Sequence, residues 1–333
     1  MTIRRFFQIG LLLLLMGACA PRLQPLGQDD ISPALDVAAG KWQASDGRVL
    51  PLRHWLPKEP AKAILLSLHG FNDYGNSFAS AGKWLAGRGI ATYAPDQRGF
   101  GASPYRGLWP GENRLALDVL ELTQLLRRHN PQIPFYWLGD SMGGAVVLAA
   151  LQRSETKPDG IILVAPAVWG RGSMPVHYRI ALWLASYTVP WMTVTGRGLN
   201  IQASDNIEML RQLSRDPLVI KETRIDAIHG LVNLMDTAAE TRPSGLPVLL
   251  LYGAKDEVIP KAPVETFAAS LKASSGINLR VVVYRNGWHM LLRDLQAETV
   301  WRDIAAWIQD SRAELPSGAE RQTLPLFAQD GAR

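Results

Sequence analysis

One serine lies in a pattern that can turn its hydroxyl into a nucleophile. Residues Gly139 to Gly143 read Gly-Asp-Ser-Met-Gly, directly after the apolar run 135–138 and directly before a stretch of small apolar residues. Strand, G-x-S-x-G and helix in this order form a sharp turn that exposes the serine hydroxyl. Side chains at the two glycine positions would collide with the neighbouring backbone, so the pattern predicts Ser141 as a catalytic nucleophile.

A serine nucleophile needs a base that takes its proton, and the base needs a third group that orients it. In turns of this kind the chain order is serine, then acid, then histidine. His289 follows a late apolar run, Asp256 follows the run before it, and Glu257 is a neighbouring alternative acid. Open parallel sheets place their sites at the carboxyl ends of strands. We therefore predict a triad of Ser141, Asp256 and His289.

Two backbone N–H groups are needed to stabilise the negative charge that develops on a substrate oxygen. Met142 follows the nucleophile and begins the predicted helix, so its N–H can supply one donor. The second is expected from the loop His69-Gly70-Phe71, where Gly70 permits close approach and the Phe71 N–H is the best candidate. His69 precedes the nucleophile and follows a different strand, so we expect it to support this loop rather than act as the base.

Short apolar runs alternate with helical patterns along the middle of the chain. Continuous apolar runs are typical of buried parallel strands, and the alternation predicts an α/β fold with helices on both faces of a mostly parallel sheet. The predicted strands are 41–45, 49–56, 63–68, 90–94, 135–138, 160–164, 247–252 and 279–284. The predicted helices are 77–88, 113–129, 142–153, 262–273 and 294–309.

Breaks in this alternation predict the domain organisation. Residues 40–167 and 243–310 form the predicted catalytic domain, and the stretch 168–242, which has no strand-like run, is a predicted helical cap inserted into it. Residues 19–39 are proline-containing and aperiodic, which is typical of a tether. Residues 311–333 are polar and aperiodic, and we predict that they are disordered.

The beginning of the chain has the pattern of a secretory signal over residues 1–18. Arg4 and Arg5 precede a run of leucines, and the apolar stretch is about half the roughly 20 residues that span a bilayer. Cys19, the chain's single cysteine, follows directly, which resembles a bacterial lipobox. The resemblance implies acylation of Cys19, including palmitate, and the following Ala20 implies an outer-membrane position facing the periplasm. An ordinary signal with an incidental cysteine is the alternative.

Composition excludes several classes of protein. Of the 333 residues 47% are hydrophobic and 20% charged, which describes a globular chain rather than a disordered one. The formal net charge of +5 includes two arginines of the predicted signal, so charge gives no reason to expect nucleic acid as a partner. One cysteine allows neither a disulfide within the chain nor a cysteine metal site, and no metal or organic cofactor is expected.

Five segments lie at or near the predicted strand ends: His69 to Phe71, Pro95 to Ser103, Gly139 to Gly144, Gly253 to Asp256 and Gly287 to His289. Together they resemble the α/β-hydrolases of the monoacylglycerol lipase and lysophospholipase group, which is often placed beside serine aminopeptidases. The resemblance covers about residues 40 to 310 and implies an eight-stranded sheet, a helical cap and hydrolysis of carboxylic esters.

Three charged residues in these segments have expected positions or partners that the resemblance does not supply. The family most often has histidine where Asp140 stands, and we expect Asp140 to occupy a solvent-exposed position of the turn. Asp96 and Arg98 are expected to form an ion pair that fixes a loop near the site.

The cap sequence bears on the substrate. Residues 169–198 contain three arginines, no acidic residue and a stripe of apolar and aromatic side chains at helical spacing. The stripe predicts either a helix packed on the catalytic domain or a lid that enters lipid. A lipid-like ester such as a monoacylglycerol or lysophospholipid is the expected substrate. The alternatives are an aminopeptidase-like enzyme, a carbon–carbon bond hydrolase with the same triad, and a non-catalytic binding protein.

Overall fold

The computed structural model describes residues 20–28, 30–154, 157–274 and 276–322. The predicted signal and Cys19 lie outside these described residues, and so do residues 323–333 at the other end. In the described part of the chain, no helix is both long enough and apolar enough to cross a membrane.

A nine-stranded sheet forms the centre of the molecule, in the spatial order β1-β2-β3-β5-β4-β6-β7-β10-β11. The strands β1, β2, β3 and β5 pair antiparallel, and every pair from β5 to β11 is parallel. The nine strands are β1 Ala34–Asp36, β2 Lys41–Gln43, β3 Val49–Trp55, β4 Ala63–Leu68, β5 Ile90–Pro95, β6 Phe135–Asp140, β7 Gly160–Val164, β10 Pro247–Gly253 and β11 Asn278–Tyr284. The short strands β8 Thr193–Val194 and β9 Thr223–Arg224 form a separate antiparallel pair.

Helices cover both faces of this sheet, which confirms the predicted fold class. Every residue of β4, β5 and β7 is buried, and this explains why their sequences are continuously apolar. One face is packed by α2 Glu112–His129, α3 Met142–Leu151, α6 Ile225–Glu240 and α7 Lys261–Ala273. The other is packed by α1 Ala79–Ala86 and α8 Ala297–Gln309.

The described residues of the predicted tether and of the predicted tail differ from the sequence prediction. In the predicted tether, Ala34–Asp36 forms β1, which adds a ninth strand to the eight expected, and the N–H of Gln24 donates to Trp109 O at 2.9 Å. In the predicted disordered tail, Leu315 is buried and Glu320 forms an ion pair with Arg280. Backbone pairing, the buried side chains of Gln24 and Leu315, and the ion pair of Glu320 hold these segments to the catalytic domain, and none of these gives a periodic signal in the sequence.

The cap enters between β7 and β10 and leaves many apolar side chains uncovered. It contains α4 Val176–Thr188, β8, α5 Ile207–Arg215, β9 and α6. Only α6 packs deeply, against α3; α4 buries Ser186 alone, and α5 buries nothing. The predicted aromatic stripe is therefore exposed, with Trp183 at 57% and Trp191 at 52%. Together with these two, the exposed apolar side chains of the cap, which we call the exposed cap face, are Val176, Tyr178, Ile180, Leu184, Tyr187, Met192, Val194, Leu199, Ile201 and Ile207.

Candidate active site

Ser141 lies on a strained turn between β6 and α3. Its φ is +53°, in the left-handed region that residues with a Cβ rarely adopt, and its N–H donates to Val164 O at 2.9 Å. The turn is tight because glycine flanks it. A Cβ on Gly143 would lie 1.9 Å from Leu68 O, and one on Gly139 would lie 2.4 Å from the Gly143 carbonyl carbon. The glycine requirement expected from the sequence is therefore a real steric one.

The structure brings the predicted base and acid together. His289 Nδ1 donates to Asp256 Oδ2 at 2.8 Å, while Asp256 Oδ1 accepts the backbone N–H groups of Val258 at 2.8 Å and Ile259 at 2.9 Å. The Asp256 side chain is completely buried. Burial opposes the imidazolium, but the charge and hydrogen bond of Asp256 outweigh it and raise the pKa of His289.

Glu257, the alternative acid, bonds to the cap instead of the histidine. Its Oε2 accepts the N–H of Gln202 from the cap at 2.7 Å. Of the two neighbouring carboxylates, only Asp256 can orient the imidazole.

Among the described residues, no hydrogen bond joins Ser141 to His289. They lie at the same edge of the sheet, and Asp140, next to Ser141, is close enough to His289 to raise its pKa. Catalytic hydrogen bonds are often long in sites without substrate and shorten in the reacting complex.

The loop after β4 lies directly against the nucleophile. A Cβ on Gly70 would be 3.4 Å from Ser141 Cβ and 3.9 Å from Ser141 Oγ. Phe71 follows, with its ring against Phe100 at 5.5 Å between centroids. Across the site, Met142 is the first residue of α3, where backbone N–H groups have no partner within the helix. The two predicted oxyanion donors therefore belong to segments that flank Ser141.

His69 supports this loop. Its Nε2 accepts the N–H of Gln97 at 2.9 Å, and its Nδ1 donates to Gly70 O at 2.8 Å. Burial lowers the pKa of His69, which favours the neutral ring that these two bonds require. Both ring nitrogens are engaged, so His69 is not available as the base.

The expected ion pair between Asp96 and Arg98 is not the one that forms. Arg98 pairs with Asp118 at 2.6 Å and with Asp46 at 2.8 Å, while Asp96 pairs with Arg53. Each residue still fixes the loop, but the partners come from elsewhere in the chain and no local pattern indicated them.

Asp140 is buried, contrary to the exposed position that we expected. It is 6% exposed, and its Oδ1 has no hydrogen-bond partner. Burial raises the pKa of Asp140 to about 6, although the charges of His289 and Arg293 oppose the shift. Hence a buried carboxyl group with a raised pKa lies beside the predicted triad.

Two further residues at the site were missed by the sequence reasoning. Arg293, in the loop after His289, pairs with Asp73 of the oxyanion loop and so joins the two loops. Asn72 bonds to the cap; its position directly after His69-Gly70-Phe71 was the only signal that could have singled it out. Among the described residues, no three His, Cys, Asp or Glu side chains are grouped to hold a metal ion.

Comparison with known families identifies the family to which this chain belongs. Residues 59–296 match the family described as serine aminopeptidase, S33. The chain belongs to this family. The resemblance to monoacylglycerol lipase-like α/β-hydrolases that the motifs indicated is thereby confirmed, and the matched region contains the three positions of the predicted triad.

Several relatives of this S33 protein are monoacylglycerol lipases by name. Monoglyceride lipase of Mus musculus is 25% identical over 281 residues, which cover 82% of this chain and 91% of the relative. Monoacylglycerol lipase of Mycolicibacterium smegmatis is 25% identical over 260 residues, covering 76% and 90%. The crystal structure of Paleococcus ferrophilus monoacylglycerol lipase aligns with a TM-score of 0.64 at 19% identity, covering 78% of this chain and 98% of that one. A soluble variant of Saccharomyces cerevisiae monoglyceride lipase aligns at 0.66 and 18% identity, covering 87% and 99%.

Proposed function

We propose that this S33 protein is a serine hydrolase that cleaves carboxylic esters of lipids, specifically monoacylglycerols or lysophospholipids. The observation that carries the proposal is the hydrogen bond from His289 to the buried Asp256, at the sheet edge where the strained turn presents Ser141. The named activity of the curated relatives supports the lipid ester as substrate class.

The reaction follows from the positions of these groups. His289 Nε2 takes the proton of Ser141 as Oγ attacks the ester carbonyl, and the N–H groups of Phe71 and Met142 face the resulting oxyanion. The imidazolium then gives its proton to the leaving alcohol, which leaves an acyl group on Ser141. Water, activated by His289 in the same way, releases the fatty acid and restores the serine.

Asp256 has two tasks in this mechanism. Its Oδ2 holds His289 in the tautomer with a proton on Nδ1, so that Nε2 is free to accept the serine proton. Its negative charge stabilises the imidazolium that forms, which is the reason for the raised pKa of His289. The two backbone N–H groups on Oδ1 hold the carboxylate in this orientation.

The composition of residues 169–198, the first part of the cap, favours a lipid over an aminoacyl substrate. An aminopeptidase needs a negative group to bind the substrate's amine, and residues 169–198 contain no carboxylate. The exposed cap face is instead apolar and aromatic, with Arg179 and Arg197 in the same segment. Such a surface suits contact with a lipid phase in which the substrate is dissolved.

A substrate screen tests the proposal. Purified protein that begins at Ala20 is assayed against esters of graded acyl length, monoacylglycerols, lysophospholipids and aminoacyl amides, with Ser141→Ala as the matched control. We expect turnover of the glycerol or phospholipid monoesters that is absent in the control. Faster cleavage of the aminoacyl amides would contradict the proposal, as would ester turnover that persists in Ser141→Ala.

We also propose that Cys19 carries a lipid anchor, in a bacterial cell envelope and most specifically on the periplasmic side of the outer membrane. Three residues later, the Arg22 N–H donates to Asp226 Oδ2 of the cap helix α6 at 3.4 Å. Three residues span at most about 10 Å. An acylated Cys19 therefore requires the bilayer surface to lie near this side of the cap.

The anchor has its own test, separate from activity. The change Cys19→Ser removes the thiol that would be acylated, so palmitate labelling in cells should disappear while turnover of a soluble short ester by the purified protein is retained. With brominated-lipid vesicles, fluorescence of the acylated protein should be quenched, and Trp191→Phe should reduce the quenched fraction. Wild-type protein that is unlabelled and wholly soluble would refute the anchor and would leave the proposed ester hydrolysis unaffected.

A further inference from the structure

The turn that carries the proposed oxyanion donor is joined to the cap by its next residue. Asn72 O accepts the N–H of Ile220 at 2.9 Å, and Asn72 Nδ2 donates to Thr223 Oγ1 at 2.6 Å. The turn itself is closed by the Asp73 N–H, which donates to Gly70 O at 3.3 Å. Cap and oxyanion turn are thus connected through one side chain and one backbone carbonyl.

The backbone conformation alone does not explain an asparagine here. Asn72 has a φ of +64°, which suits the third position of a type II turn and which glycine and asparagine adopt most readily. Glycine would satisfy this conformation with less strain. What asparagine adds is the amide that reaches Thr223, so the side chain has a role beyond the turn.

Thr223 connects onward to the exposed cap face. It lies in β9, where it pairs with Val194 of β8, and the N–H of Ile225 donates to Met192 O at 2.9 Å. Met192 and Val194 are both more than 40% exposed. The hydrogen bond from Asn72 therefore links the apolar edge of the cap to the turn that contains Phe71.

We propose that Asn72 is a positioning residue for the oxyanion donor: its bonds to Thr223 and Ile220 hold the turn in which the Phe71 N–H faces the reacting carbonyl. The inference rests on the proposed ester hydrolysis and on Phe71 as a donor. A donor stabilises the oxyanion only while it is aimed at it, and the oxyanion exists only in the transition state and the intermediate. Loss of the link should therefore lower kcat and leave KM nearly unchanged.

The test uses variants that remove one side of the bond at a time. Asn72→Gly keeps the turn conformation and loses the side-chain amide. Thr223→Val loses the hydroxyl group at nearly constant side-chain shape, whereas Thr223→Ser keeps the hydroxyl group. We expect kcat for a soluble ester to fall about tenfold in the first two, less than the ~10²–10³ lost when a donor is removed outright. The double variant should be no slower than either single one, and Thr223→Ser should stay within about twofold of wild type.

A second readout separates positioning from a loss of stability. Tyr74→Phe is the matched control, because Tyr74 OH also bonds to the cap, at Asp216 Oδ2 2.7 Å away, but from outside the closed turn. It should lower the unfolding temperature without lowering kcat. Inhibition by a trifluoromethyl ketone, whose adduct forms an oxyanion, should weaken in Asn72→Gly and Thr223→Val and not in Tyr74→Phe.

The outcomes also distinguish this inference from the proposed function. The rate at which a fluorophosphonate labels Ser141 depends on the same oxyanion donors and needs no ester substrate. Wild-type protein that is labelled but cleaves no ester would refute the proposed function, and the labelling rates of the variants would still test Asn72. Unchanged kcat and labelling rates in both single variants, or losses that add in the double variant, would overturn the positioning role; so would a wild-type protein that the reagent does not label.

Discussion

Replacing Asp256 by asparagine tests the hydrogen-bond geometry of the triad in one step. Asp256 Oδ1 accepts two backbone N–H groups, and Oδ2 faces His289 Nδ1. An asparagine has one oxygen, and the two N–H groups of Val258 and Ile259 require it on their side. Its NH₂ group must then face His289, so Nδ1 becomes an acceptor and the ring proton moves to Nε2. A protonated Nε2 cannot take the serine proton.

The size of the effect follows from the cost of the opposite orientation. A flipped amide would leave both backbone donors without an acceptor, at about 1–3 kcal/mol each. The flipped, active form is thus disfavoured by at least ~2 kcal/mol, which corresponds to roughly one molecule in thirty or fewer. We expect kcat/KM to fall by at least ~30-fold and by as much as ~10⁴, the loss known for the wrong histidine tautomer in serine proteases.

The assay is turnover of a short soluble ester, normalised to the fraction of Ser141 that a fluorophosphonate labels at completion. Glu257→Gln is the matched control, since it makes the same chemical change one residue away on a group that bonds to Gln202. We expect less than a threefold change for it, and thermal unfolding verifies that both variants are folded. A severe loss in Glu257→Gln combined with a mild one in Asp256→Asn would show that the acid has been misassigned.

Three further predictions concern the turn and its surroundings. Ser141→Ala and Ser141→Gly should both lower turnover by about 10⁶-fold. Because glycine relieves the backbone strain at φ +53°, the free energy of unfolding of Ser141→Gly should exceed that of Ser141→Ala by roughly 1 kcal/mol in urea titrations. Equal free energies of unfolding would contradict stored strain at this position. Gly143→Ala places a Cβ 1.9 Å from Leu68 O and should cost about 3 kcal/mol or more in thermal unfolding, whereas Gly172→Ala, with open space around it, should stay within about 0.5 kcal/mol. The pKa of Asp140 is raised from 3.8 to about 6 in the folded chain, so the fold loses stability as the pH rises between these two values and does not regain it above them. Asp140→Asn should therefore raise the free energy of unfolding at pH 8 by an amount on the order of 3 kcal/mol and hardly at pH 4, and a larger gain at pH 4 would refute the assignment.

The parallel part of the fold could be predicted from the sequence because burial there is complete. Ala63–Leu68 and Gly160–Val164 were predicted to the residue, since every side chain in them is buried and therefore apolar. The position of Ser141 was equally clear, because the flanking glycines are required by contacts within a few residues. A feature can be predicted from the local sequence when the contacts that determine it lie within a few residues.

Other features depend on contacts between distant parts of the chain. β1 is three residues long and pairs at the sheet edge, where partial exposure leaves no apolar pattern. The partners of Arg98 lie in a hairpin turn and a helix far from it in sequence. The sequence predicted Asp256 as the acid but could not exclude the neighbouring Glu257, because adjacent carboxylates differ only in the backbone N–H groups and the ring that they contact after folding.

The insertion of the cap between β7 and β10 has a consequence for how the chain is made. β7 ends at Val164, and its parallel neighbour β10 begins at Pro247, so the whole cap must be synthesised before the two strands can pair. Pairings that close long loops form slowly, and an unpaired strand edge can meanwhile join another chain. Until residue 253 has been synthesised, β7 has an open side next to the nucleophile turn. A chain interrupted within the cap would therefore contain Ser141 but be exposed to aggregation, and chaperones that bind extended segments would be needed most during this interval.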